Sequence, residues 1–197
     1  MKIKVITSLT VVLIFLILTS FISTKRNIVL GLDLNKSTIE WYARKVGGRH
    51  NGFISILSGT LITENNKLTG GKFVVDTKSM TDADLKFKKA NKWLMGHLKN
   101  NFFEVNKYPT ASFEITTVIP NRDKYEVTGK MTIKNITKEI KFPAIIIITD
   151  SSITATATIK IDRRDFGINY GAGIIKRLAN KAIYNEFSLA VTLVSKT

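Results

Sequence analysis

The polar chemistry open to this chain rests on very few side chains. His97 stands in the stretch NKWLMGHLKNNFFEVNKYPTASFEI (Asn91 to Ile115), just ahead of Asn100-Asn101 and the adjacent Phe102 and Phe103. An imidazole beside two phenylalanines suits the end of an apolar cavity, where it would touch the polar part of a ligand. It equally suits a helix tip where one backbone partner satisfies it. His50 lies in the glycine-rich stretch Gly47-Gly48-Arg49-His50-Asn51-Gly52 and reads as an exposed turn residue. Two histidines in separate segments, with no HxxxH-type spacing, make no metal-binding pattern. The absence of cysteine excludes disulfides, thiolate metal sites and a cysteine nucleophile. There is no G-x-S-x-G or P-loop, and Gly171-Ala172-Gly173 lacks the third glycine of a nucleotide fingerprint, so no cofactor is expected. Asp162-Arg163-Arg164-Asp165, followed by Phe166-Gly167, has two readings. It is an ion-pair and backbone network at a corner that Gly167 lets turn sharply, or Arg163 grips a phosphate bidentately at a cavity mouth.

These residues need elements to hold them. Ala90, Trp93, Leu94, His97 and Leu98 recur at i, i+3, i+4, i+7 and i+8, which predicts a helix between about Ala83 and Asn100 with these on one face. Pro109 forces Tyr108 out of helical geometry and starts an extended run. Elsewhere the period is two. Ile153, Ala155, Ala157, Ile159 and Ile161 alternate with Thr154, Thr156, Thr158, Lys160 and Asp162, and Phe187, Leu189, Val191 and Leu193 share one side of a final run from Ile183 to Val194. Turn signals fall at Asn35-Lys36-Ser37, between Gly47 and Gly52, at Glu64 to Lys67, at Pro120-Asn121, at Asn135 and at Asp150-Ser151. About eight strands joined by short turns predict an all-β fold, an eight-stranded antiparallel barrel with one helical insertion. Eight strands enclose room for side chains or one ligand, and closure removes free edges. A sandwich is the alternative.

The 197 residues suffice for one large domain, read as 27–197 behind an N-terminal segment, 1–26. Lys2 and Lys4 precede an uncharged run from Val5 to Thr24 that Lys25 and Arg26 end, the pattern of a signal peptide or signal anchor. An exported protein of the periplasm or cell envelope is expected, with membrane association through residues 5–24 left open. The net charge of +15 comes mainly from scattered lysines rather than an arginine-rich stripe, so nucleic acid is not an expected partner.

Three segments in order carry a family resemblance: GHLKNNFFEVNKYPTASFEI, YEVTGKMTIKNITKEIKFP (Tyr125 to Pro143) and IKIDRRDFGI (Ile159 to Ile168). They resemble the YceI-like family of exported, lipocalin-like barrels that bind isoprenoid lipids, over about Leu32 to Val194. Leu94, Met95 and Gly96 stand where many relatives carry an Arg-Asp pair, and Asn101 where a carboxylate often precedes the phenylalanines. The resemblance implies a carrier of an isoprenoid or similar apolar-tailed lipid, not an enzyme. Trp41, Phe102, Phe103 and Phe113 would supply aromatic lining, Ala155 and Ala157 a wall of small residues. Trp93, Leu94 and His97 would lie at the cavity end, with Arg163 and Phe166 near the mouth. A ligand-free envelope module with a packed barrel is the alternative, an enzyme acting on a lipid a third reading, and a homodimer stays open.

Overall fold

The structure is a computed structural model that describes residues 27–149, 151–169 and 183–196. The N-terminal run expected to be a signal or anchor and the Gly171-Ala172-Gly173 loop lie outside the described residues.

The chain runs β1 (Asn27–Gly31), β2 (Thr38–Lys45), β3 (Gly48–Glu64), β4 (Lys67–Asp76), α1 (Lys88–His97), β5 (Thr110–Asn121), β6 (Lys124–Ile133), β7 (Ile136–Ile148), β8 (Ile153–Asp162) and β9 (Ile183–Val194). The strands pair antiparallel in the order β3-β2-β9-β8-β7-β6-β5-β4, and β4 pairs back onto β3. The result is a closed eight-stranded barrel, with β1 added along the second half of β3. Alternation sets which residues face inward. In β8, Ile153, Ile159 and Ile161 are buried while Lys160 is exposed, and each buried isoleucine contributes about 1.5–3 kcal/mol. Tight turns fall where the side chains tolerate left-handed backbone: Asn65 and Asn66 have φ of 49° and 59°, and Lys134 and Asn135 have 51° and 61°.

Three boundaries differ from expectation. The basic turn lies at Val46-Gly47, where Gly47 has φ 79°. Arg49 to Gly52 are already strand, paired with Arg44 to Trp41. Pro120 belongs to β5 opposite Tyr125 rather than to a turn. The helix is shorter than Ala83–Asn100, because Asp82 and Asp84 turn their carboxylates onto neighbouring backbone before it begins. It continues beyond His97 as a π-helical turn, Leu98–Phe102, closed by Phe103 N–H donating to the Leu98 carbonyl at 2.9 Å.

Candidate ligand cavity

The insertion between β4 and β5 covers one end of the barrel and is fastened at its base. Thr77 N–H donates to the Pro109 carbonyl (3.0 Å) and its hydroxyl to the Tyr108 carbonyl (2.7 Å). Where β4 leaves β3, residues 79–83 take over its edge. Ser55 N–H donates to Ser79 Oγ (2.8 Å), Thr81 N–H to the Phe53 carbonyl (2.9 Å) and Ala83 N–H to the Asn51 carbonyl (2.8 Å). The Trp41 indole N–H donates to the Thr81 carbonyl at 2.9 Å. The approach is so close that a Cβ on Gly52 would meet the Thr81 oxygen at 1.9 Å. Glycine at 52 thus serves a close approach and not a turn.

Asp82 and Asp84 organise the entry to α1. Asp82 Oδ1 accepts from Leu85 N–H (2.9 Å) and from the Asn91 side chain (3.1 Å), while Asp84 accepts from Asn51 N–H (3.1 Å) and meets His50 Nδ1 at 3.1 Å. Burial, and then the neighbouring Asp84, push the Asp82 carboxyl up. At Asp84 burial acts in the same sense, but the Asn51 amide and the bonds to Asp82 and His50 outweigh it and hold the group low. His50 is therefore engaged rather than a simple exposed turn residue.

On α1 the helical face singled out in the sequence does look into the barrel end. Ala90, Trp93, Leu94, His97 and Leu98 all line a cavity of about 400 Å³, within the roughly 300–1,000 Å³ usual for ligand pockets. Met95, one step round the helix, is the residue that packs against Trp41 and Met80. The His97 ring stacks on Trp93 (centroids 5.3 Å, interplanar 6°) and meets Phe102 edge-on at 5.3 Å. The Asn101 side-chain amide donates to His97 Nδ1 at 2.8 Å, which leaves the ring proton on Nε2. Burial holds this imidazole below its usual range and so favours the neutral ring. The π-helical turn then aims both phenylalanines inward. Phe102 is buried, and Phe103 lines the cavity with an edge-on contact to Phe187 at 6.4 Å.

A second, deeper chamber of about 120 Å³ follows along the barrel axis. Phe113, Ala155 and Ala157 line it, with Ala144 paired directly across from Ala157. Five residues, Ile39, Val75, Ala111, Ile133 and Leu189, line both chambers and form the belt between them. Ala111 is the small member of that belt, the place where the wall between the chambers is thinnest in side-chain volume. Trp93 and Tyr184 line the outer chamber and are each more than half exposed, so it reaches the surface at the α1 end. Arg44 and Lys45 line it there too, with the Arg44 guanidinium over the Tyr184 ring at 5.0 Å.

Of the residues singled out from the sequence, Trp41, Trp93, Leu94, His97, Phe102, Phe103 and Arg163 line the outer chamber and Phe113, Ala155 and Ala157 the inner one. Phe166 lines neither; it is 1% exposed and packs in the core. Arg163, 4% exposed, directs its guanidinium to the Ile168 (2.8 Å), Tyr184 (3.2 Å) and Ile183 (3.4 Å) carbonyls and the Asn185 side chain (3.2 Å). It holds the start of β9 against the corner, as the network reading expects. Gly167, with φ 62°, makes that corner's turn.

Sequence reasoning missed Lys134. Its ammonium bonds to the Phe102 carbonyl (3.0 Å), the Gly167 carbonyl (3.3 Å) and the Glu104 carboxylate, whose pKa it lowers. One cation from the β6–β7 turn thus joins the phenylalanine pair to the DRRDFG corner. The belt residues were missed as well, although Ala111 could have been found as the smallest residue in the alternation Ala111, Phe113, Ile115.

The three segments joined through Lys134 are those that carried the family resemblance. Among known proteins, a UPF0312 protein of Pseudomonas aeruginosa (strain LESB58) is 34% identical over 86 residues, covering 39% of this chain and 44% of the relative. A UPF0312 protein of Pectobacterium atrosepticum is 38% identical over 52 residues, 26% of this chain and 27% of the relative. The chain spans less than half the length of these curated relatives. The crystal structure of Burkholderia cenocepacia BcnA superposes with a TM-score of 0.66 at 22% identity, covering 83% of this chain and 98% of that one. A structure described as a polyisoprenoid binding domain from Saccharophagus degradans does so with a TM-score of 0.64 at 14% identity, covering 87% and 99%. At these identities the two structures share the fold. The sequence pattern of the YceI-like domain matches residues 31–195, which takes in barrel strands β2 to β9, the insertion and the Arg163 corner, and the chain belongs to the YceI-like family.

Proposed function

We propose that this protein binds a long-chain isoprenoid or similar amphipathic lipid, with the apolar tail along the barrel axis and the polar head at the α1 end. One observation carries the reading: two apolar chambers, about 400 and about 120 Å³, lie in the barrel and share a belt of lining residues that includes Ala111. Enclosing a chain there removes it from water at about 0.8 kcal/mol per methylene, so a dozen carbons outweigh the several kcal/mol lost on immobilisation. Arg44, Lys45 and the neutral His97 ring at the outer chamber suit a polar or anionic head group. The polyisoprenoid-binding description of the Saccharophagus degradans structure supports the ligand class. The reading is of binding rather than catalysis, and the family and its binding-domain neighbour support it. A place in the cell envelope rests on the uncharged run Val5 to Thr24. Mass spectrometry of organic extracts of the purified protein tests the proposal. An apolar-chain lipid in stoichiometric amount is the expected result. Its absence, together with no binding of a fluorescent polyprenyl probe, refutes the carrier and favours a ligand-free module.

A further inference from the structure

The α1 end of the barrel presents more than a cavity mouth. Between Leu85 and Phe103 the sequence has no acidic residue and carries Lys86, Lys88, Lys89, Lys92 and Lys99. On the helix, Lys88, Lys89 and Lys92 lie opposite the cavity-lining face of Ala90, Leu94, His97 and Leu98, and all three are exposed. Trp93 sits at the border of the two faces. Large apolar side chains at this end also face water: Phe87 is 81% exposed, Val46 70% and Trp93 67%. Val46 tips the β2–β3 turn between Arg44, Lys45 and Arg49, which are exposed as well. Of the acids near this end, Glu104 pairs with Lys134 and Asp162 with Arg164, and Asp84 is hydrogen-bonded to Asn51 and His50. The opposite pole differs: its turns mix Asp33 and Lys36, Glu64 and Lys67, and Asp123 and Lys124.

Lysines interleaved with an exposed tryptophan on one short helix, with an exposed phenylalanine at its N-terminal cap, are the pattern of a helix lying in a membrane interface. The lysines meet anionic head groups, and the tryptophan ring settles at head-group depth. We infer that the α1 end docks on an anionic lipid bilayer, with Phe87, Trp93 and Val46 entering the interface and Lys86, Lys88, Lys89 and Lys92 on the head groups. The surface that docks is the surface through which the outer chamber opens. Docking itself stands without the carrier reading; its use, moving a lipid between bilayer and barrel without crossing water, rests on that reading.

The chain has no cysteine, so one introduced thiol carries one label. An environment-sensitive fluorophore is placed on Phe87→Cys, and for comparison on Lys124→Cys at the opposite pole, both in the full chain. Each is titrated with vesicles of phosphatidylcholine alone and of phosphatidylcholine with phosphatidylglycerol. The label at position 87 is expected to brighten and shift to the blue only with the anionic vesicles, and the label at 124 to stay aqueous. Each lysine near the surface contributes roughly fivefold to partitioning, so replacing Lys88, Lys89 and Lys92 by Gln lowers it about a hundredfold. Polyprenyl probe binding in solution should be unchanged in that triple variant. A label at 87 that stays aqueous overturns the inference. So does an equal response at 87 and 124, which marks insertion of the N-terminal run alone, or unchanged partitioning of the triple variant. Docking by a protein that yields no lipid leaves this inference standing and removes the carrier; lipid without docking does the reverse.

Discussion

Ala111→Leu separates one continuous lumen from two unrelated voids. Ala111 is the small residue of the belt shared by both chambers. Leucine adds three carbons, roughly 90 Å³ at about 30 Å³ per water-sized group, and so blocks the passage without exceeding the free space. With no clash, three newly buried carbons stabilise the protein by about 2 kcal/mol. For a chain of this size that raises Tm by about 4–8 °C. The ligand loses the inner chamber, whose 120 Å³ hold about four methylene-sized groups. At about 0.8 kcal/mol each this costs about 3 kcal/mol, or about a hundredfold in Kd, for a long polyprenyl chain. A short chain that fits the outer chamber should bind as before. Calorimetric melting and titration with fluorescent prenyl probes of increasing length read both effects. Equal affinity of long and short probes for parent and variant refutes the shared lumen. A Tm that falls, as overpacking by about 1–3 kcal/mol would make it, refutes the gap beside Ala111.

Further outcomes follow from the lining. Phe102→Ala removes a buried ring and should cost roughly 3–5 kcal/mol in urea unfolding, whereas Phe103→Ala, beside the outer chamber, should cost clearly less and change probe affinity instead. Phe103→Trp should weaken probe binding with little change in Tm. Arg163→Met leaves the Ile168, Ile183 and Tyr184 carbonyls without this donor; at about 1 kcal/mol or more each, stability should fall by about 3 kcal/mol or more. If Arg163 served the ligand instead, affinity for an anionic head group would fall while stability held. Burial depresses the His97 pKa below 6.5, so the folded state resists protonation more than the unfolded chain does. That contribution to stability is complete above about pH 6.5 and is lost as pH falls through the folded-state value. Melting curves between pH 7 and pH 5 should therefore fall more steeply for the parent than for His97→Gln, and NMR titration should place this ring below an ordinary histidine.

The barrel was legible because a period of two survives in nearly every strand, and β8 pairs as its isoleucines and alanines suggest. The face of α1 was legible for the same reason, with a period of 3.6. Gly52 shows where such reading stops. A glycine signals a tight turn or a close approach of another chain, and only tertiary structure says that Thr81 lies against this one. Asp84 is silent in the sequence in a similar way, since its partners Asn51 and His50 belong to a distant strand. The lumen itself was half legible. Ala155 and Ala157 stand together in one strand, but Ala144 and Ala111 join them only through the register of β7 and the closure of β5. A void is a property of summed volumes across strands, and no single stretch of sequence contains it.

The insertion over the mouth is tied at both feet, by Thr77 to Tyr108 and Pro109, by residues 79–83 to the edge of β3, and by Lys134 to Phe102. A cover held in this way is braced at its base. On the carrier reading, a ligand would exchange through side-chain rotations of Trp93, Tyr184 and their neighbours, in roughly nanoseconds, and not through lid opening over microseconds to milliseconds. What slows departure is the tail. Each methylene drawn back into water adds about 0.8 kcal/mol to the barrier, about fourfold in the dissociation rate. Ligands of different length would enter at nearly the same rate and differ in how long they stay.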